Sequence, residues 1–219
     1  MNPVRAMGDD IYALNLMQPL LKGTYLPFTL SSLRPACLAF ILNDIVINDR
    51  KNVLEFGAGI STIMMGRLIK TNSLETRIIS VEHNSRWVEI LKGIVLAEGL
   101  EDHIGIVHAP LVPCCVATCH TDWYDTTVLE PVIGNRTFDM VLVDGPPAYE
   151  PPKMEARYPA LPFVYNRLAA RSILVLDDAE REGEKAVLAR WTAEFPLRFN
   201  LAAGSLACSS RGDDFNAHL

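Results

Sequence analysis

Long apolar runs are scarce in this chain. The longest, Ala36 to Ile47, is interrupted by Asn43 and Asp44 and is too short to cross a bilayer, so it reads as a core helix. Positive charge is in deficit: 20 Lys and Arg stand against 26 Asp and Glu, for a net charge of −6 and a pI near 5.4. That leaves no basic footprint for general nucleic-acid binding and favours a small-molecule partner. The first ten residues carry Arg5, Asp9 and Asp10 and lack the apolar core of an export signal, which makes the cytoplasm the expected location and the Asn135-Arg136-Thr137 sequon irrelevant. Paired cysteine motifs are lacking as well. Five cysteines, an odd number, point to reduced thiols rather than a disulfide framework, with Cys37 and Cys208 as small core residues. Cys114, Cys115, Cys119 and His120 are ligand types that zinc prefers, but without a Cys-x-x-Cys pair they read as a loop that happens to carry thiols. No repeat or low-complexity tract occurs, and 219 residues can bury one full core.

What is present concentrates in positions 53 to 61, VLEFGAGIS. Val53, Leu54 and Phe56 predict a short buried strand. Gly57 and Gly59 then remove the Cβ atoms that would hold the backbone away from a ligand. Ser61 and Thr62 open an apolar-periodic run, Ile63, Met64, Leu68 and Ile69, which predicts a helix whose first N–H groups face the same cleft. A dinucleotide fingerprint would place a third glycine at position 62. Thr62 stands there instead, which argues against a nicotinamide cofactor. Roughly twenty residues on, Ile78, Ile79 and Val81 form a second strand closing on Glu82 and His83, the separation at which such folds set a carboxylate on a ribose diol.

Further along, strands and helices alternate. Helices are predicted over 33–46, 62–69, 87–97, 159–169 and 180–194, and strands near 52–56, 77–82, 104–108, 138–143, 172–177, 196–201 and 205–209, with Gly204 turning the last pair. This alternation implies an α/β fold with a mostly parallel sheet and helices on both faces. Two stretches, 110–137 and 145–157, read as long irregular connections beyond strand ends, where open α/β sheets bind ligands. The second carries Pro146, Pro147, Pro151 and Pro152 with Tyr149, Lys153 and Arg157 among them, and reads as a substrate lid or as an ordinary proline-stiffened surface connection.

The segments LEFGAGIST, SVEH, FDMVLVDGPP (138–147) and ILVLDDAER (173–181) resemble, in that order, the class I S-adenosylmethionine-dependent methyltransferases. Within them, VDGPP, ARYPALP and LDDAER are similar to a bacterial group. The resemblance runs from about Ser31 onward and leaves residues 1–30 as an N-terminal extension to a single domain, 31–219. It implies a Rossmann-like sheet of seven strands with the last antiparallel, and S-adenosylmethionine as cofactor. The methionine moiety would be held around Glu55, Gly57, Gly59 and Ser61, and the ribose by Glu82, with His83 and Ala109 as further cofactor contacts. Tyr124, in a WYD segment similar to that group's, and Arg157 are the expected substrate contacts.

Asp144 ends the strand FDMVLV, and Asp177 and Asp178 end ILVL. The methyltransferase sheet makes these strands neighbours, so the three carboxylates would meet and demand a neutralising cation, ammonium or proton. The arrangement resembles the catechol O-methyltransferases, where an aspartate and an Asp-Asn pair hold magnesium. Here the pair is Asp-Asp, and oxygen-only ligands suit Mg²⁺ or Mn²⁺. In a competing reading, Asp177 caps the last long helix with Glu180 completing a capping box. Asp144 and His120 are the candidate bases. Methyl transfer to a small-molecule hydroxyl is the expected function. A nicotinamide-dependent oxidoreductase is the first alternative, with Tyr149 and Lys153 at Tyr-x-x-x-Lys spacing opposed by Pro151 and Pro152. The second is a catalytically silent ligand-binding subunit on the same fold.

Overall fold

The computed structural model describes residues 3–114 and 121–219. Strand β1 (Asn52–Phe56) is buried along almost its whole length, as apolar residues on both of its faces demand. Because successive side chains alternate, Val53 enters one hydrophobic core while Leu54 and Phe56 enter another. The first core is filled by α2 (Pro35–Ile47), α3 (Ile60–Asn72) and α4 (Ser85–Glu98). The second is filled by α5 (Thr126–Ile133), α6 (Ala160–Val164) and α7 (Glu182–Glu194). A two-sided α/β sandwich results.

With β2 (Arg77–Glu82), β3 (Ile104–His108), β6 (Phe138–Val143), β7 (Leu168–Leu176), β8 (Asn200–Leu201) and β9 (Ala207–Arg211), the sheet has seven strands in the order β3-β2-β1-β6-β7-β9-β8. The first five are mutually parallel, and β9 runs antiparallel between β7 and β8. This is the predicted sheet, including its antiparallel last strand. Gly204, at φ +60°, sits in the connection from β8 to β9, where the Ala202 N–H donates to the Leu206 carbonyl. The chain leaves β1 toward β2 and β3 on one side and returns through β6 and β7 on the other, so the order reverses between β1 and β6. Crevices at such a reversal are where open α/β sheets bind ligands. Register aligns Phe56 with both Val81 and Val143, and Val143 with Leu176, so the four strand ends open on one place.

Three expectations are corrected. The helix predicted over 159–169 stops at Val164; a 3-10 turn follows, and β7 begins at Leu168, which pairs with Phe138. The strand near 196–201 shrinks to Asn200–Leu201. The irregular stretch 110–137 holds a small hairpin, β4 (Leu111–Pro113) with β5 (Asp122–Tyr124), and then α5. The first thirty residues contribute α1 (Pro3–Leu16), from which Ala13 joins the first core; Asp10 there accepts from the Arg34 guanidinium at 2.8 Å and the Ala36 N–H at 3.1 Å. No helix among the described residues is long and apolar enough to cross a membrane.

Candidate functional site

A cavity of about 650 Å³ opens at the reversal. Its floor is the turn after β1. Gly57 adopts φ +96°, and a Cβ there would come within 2.8 Å of the Gly145 nitrogen, so the β1 and β6 turns press backbone to backbone. Gly57 serves this close approach and also lines the cavity. Gly59 opens toward space that a Cβ would not fill with protein. Its N–H donates to Thr62 Oγ1 at 3.0 Å. Thr62, Ser61 and Ser80 all donate hydroxyl protons to Glu55, which is fully enclosed. Burial raises the Glu55 pKa against the opposing pull of those hydroxyls. Glu55 thus braces the turn from beneath and does not line the cavity; neither does Ala109, whose N–H donates to the Glu82 carbonyl.

Glu82 and His83 line the wall at the end of β2, with His83 Nδ1 2.9 Å from Glu82 Oε1. The Asn84 N–H donates to the same Glu82 oxygen at 2.7 Å, and the Asn84 side chain caps α4 by accepting from the Trp87 N–H. Trp87 itself donates its indole N–H to the Ala58 carbonyl and lines the cavity, a role that its position in an amphipathic run did not signal. Thr29 to Leu33, ahead of α2, also line the cavity, where no motif announces them.

On the opposite wall, the Asp144 N–H donates to the Phe56 carbonyl and the Asp177 N–H to the Val143 carbonyl, which sets the ends of β6 and β7 side by side. Asp144, Asp177 and Asp178 each offer an oxygen, all within 4.8 Å of one another. Burial, then the Asp177 charge, pushes Asp144 well above the usual carboxylate range. Burial and Asp178 raise Asp177. The capping alternative for Asp177 is overturned: α7 begins at Glu182, and Asp177 Oδ1 instead accepts from Ser205 Oγ at 2.8 Å.

Arg157 lies among these carboxylates, only 4% exposed. Its Nη2 donates to the Asp144 carbonyl at 2.8 Å and faces Asp144 Oδ1 at 3.3 Å; Nη1 donates to the Asp177 carbonyl at 3.0 Å and pairs with Asp178 Oδ2 at 3.1 Å; Nε reaches the Pro146 carbonyl. Burial disfavours its charge, but Asp144, Asp178, Glu184 and Asp177 prevail and raise its pKa. Arg157 was expected to grip substrate. It borders the cavity, yet its donors are spent on the loops after β6 and β7, so it ties those loops together. Glu184, missed in the sequence, is buried behind it with Oε1 at 3.6 Å.

Tyr124 is 1% exposed, lines the cavity, and stacks on Phe56 with ring centroids 5.8 Å apart. Tyr149 and Lys153 lie in a turn-rich segment rather than on one helix, against the oxidoreductase alternative. His120, Cys115 and Cys119 fall outside the described residues.

The family described as "Methyltransferase domain" matches residues 54–179, more than half of the chain. The chain belongs to this methyltransferase family. Its class I superfamily resemblance, carried by the four ordered segments, is thereby shown. No curated protein in the comparison matches. Among solved structures, an SAH-bound methyltransferase from Podospora anserina is similar with TM-score 0.65 at 14% identity, covering 98% of this chain and 97% of the other. An O-methyltransferase from Bacillus cereus in complex with SAH gives 0.59 at 15%, covering 93% and 91%. The Streptomyces achromogenes O-methyltransferase TomG, involved in tomaymycin synthesis and solved with SAM, gives 0.56 at 14%, covering 97% and 100%. At such identities the likeness is one of fold.

Proposed function

We propose that this methyltransferase-family chain transfers the methyl group of S-adenosylmethionine to a hydroxyl oxygen of a small molecule. The observation that carries the reading is the pairing, in one cavity, of a Glu82 wall above a Gly-x-Gly turn with a wall of three converging carboxylates. Glu82 would accept from the ribose hydroxyls, and the Gly59–Ser61 backbone would border the methionine end. The acceptor would occupy the Asp144 side. Transfer then depends mainly on holding the acceptor oxygen in line behind the methyl group with water excluded. Asp144, its pKa raised by burial, would take the hydroxyl proton; His120 is the other candidate from sequence.

The donor set also fits a divalent ion. Asp144, Asp177 and Asp178, with Glu184 behind them, outnumber the two guanidiniums that meet them, Arg157 and Arg181, and the oxygen-only chemistry of the three aspartates suits Mg²⁺ or Mn²⁺. Asp144, Asp177 and Asp178 would hold that ion, which when bound would lower the pKa of an acceptor hydroxyl. Calorimetry with S-adenosylhomocysteine should show binding that Glu82→Ala weakens by roughly 1.5–3 kcal/mol, the scale of a hydrogen bond to a charged group; unchanged affinity defeats the ribose role. Methyl transfer to a catechol panel should stop in chelator and return with Mg²⁺ or Mn²⁺. Full activity in chelator removes the ion and leaves the side-chain base.

A further inference from the structure

The hydroxyl of Tyr124, a residue that lines the cavity, is buried and has no hydrogen-bond partner among the described residues. Leaving a buried hydroxyl unpaired is unfavourable, so such a group beside a cleft calls for a ligand partner. The side chain is not free to turn elsewhere. Its ring is held by Phe56, by Trp123 at 5.6 Å and by His83 at 6.5 Å between centroids. Glycine at 145 leaves room for it, because a Cβ there would collide with the Tyr124 oxygen and with Gly57 Cα at 2.8 Å. The hydroxyl therefore sits at the seam where the β1 and β6 turns touch, with Glu82 on the donor side and Asp144 on the acceptor side.

We propose that the Tyr124 oxygen contacts the sulfonium end of the bound methyl donor, at the methyl group about to be transferred. This rests on the function proposed above. The ribose already has Glu82 and the acceptor has the three aspartates; the group that must lie between them, pointing from one half of the cavity to the other, is the charged sulfur with its methyl. Carbon atoms bonded to a sulfonium carry positive charge, and their C–H groups are favourable partners for an oxygen lone pair. A neutral oxygen suits this spot better than a carboxylate. The sulfonium charge disappears during transfer, so an ion pair there would stabilise the reactant more than the transition state. Burial, then the Glu82 charge, raises the Tyr124 pKa and keeps the phenol protonated, so it serves as a dipole and not as a base.

The test is Tyr124→Phe, which keeps the ring and its stacking and removes only the oxygen. Dissociation constants for S-adenosylmethionine and S-adenosylhomocysteine would be measured by calorimetry on parent and variant, with thermal melting as a check on folding. The product lacks both the methyl and the charge. The preference for S-adenosylmethionine over S-adenosylhomocysteine should therefore fall by about two- to fivefold in the variant. An equal loss for both ligands would reassign the hydroxyl to the ribose or the amino-acid part, and no loss for either would leave it without a ligand role. Both outcomes overturn the proposal while sparing the methyl-donor reading. Failure of the parent protein to bind either compound overturns both.

Discussion

Asp144 shows how one residue's environment sets its chemistry. A solvated aspartate at a strand end would be ionised at neutral pH at no cost. Here burial and the neighbouring Asp177 and Asp178 oppose ionisation more than Arg157 favours it. The folded-state pKa lies above the ordinary 3.8, so the group's contribution to stability is fully present below that value and is lost as pH rises through the raised folded pKa. Asp144→Asn removes the charge and keeps the shape. In the absence of ligands it should melt at a higher temperature than the parent at neutral pH, and the gap should close as pH falls toward 4. Melting series across pH check this. A variant less stable at pH 7 would mean that the Arg157 pairing outweighs burial. The Glu55 carboxyl, also pushed up by burial, differs in purpose: three hydroxyls enclose it, and it shapes the turn rather than meeting substrate.

At the scale of elements, the region after β3 diverges most from its sequence reading. Three-residue strands carry too little alternation to register, and Pro131 inside an eight-residue helix masks the helical period. Yet α5 has a legible start in Asp125, which accepts from the Thr127 N–H at 2.9 Å and the Thr127 hydroxyl at 2.7 Å. Together β5 and α5 place Trp123 and Tyr124 against Phe56, so this small unit forms one wall of the cleft. Asp125→Ala should cost about 1 kcal/mol in urea unfolding, as loss of a helix N-cap does. An unchanged midpoint would show that the packing of Leu129 and Ile133 holds the helix without its cap.

Across the whole molecule, buried charge joins distant parts of the chain. Arg50, 1% exposed, pairs with Asp44 of α2 at 2.7 Å and with Asp214 near the C-terminal end at 2.5 Å; Asp214 also meets Arg171 of β7 at 3.0 Å. These contacts clasp the last residues to the first core, beside Asn48, which donates to the Phe215 carbonyl and accepts from the Phe215 N–H. Removing one partner of a buried ion network leaves an uncompensated charge. Asp214→Ala should therefore destabilise by about 3 kcal/mol, the lower end for a broken buried pair because Asp44 remains on Arg50. Equilibrium unfolding measures it; a loss below about 1 kcal/mol would place the clasp with exposed pairs.

The strands that carry the site, and their C-terminal ends, were legible in the sequence; the start of β7 and the short strands β4, β5 and β8 were not. Val53–Phe56, Ile78–Val81, Phe138–Val143 and Ile173–Leu176 are apolar on both faces, the pattern of a covered parallel sheet; the first runs into Gly57 and the other three into Glu82, Asp144 and Asp177. Glu82, Asp144, Asp177 and Asp178 could be named because side chains at strand ends inherit their place from the strand. Tertiary structure decided the rest. That Arg157 is engaged by the loops it joins, that Glu55 lies beneath the turn, that residues 29–33 line the cavity and that the Tyr124 hydroxyl has no partner among the described residues all depend on what strand order brings together. Local propensity and periodicity describe a residue's relation to its own element, whereas hydrogen-bond saturation and burial are properties of the space between elements, which exists only once the sheet has formed.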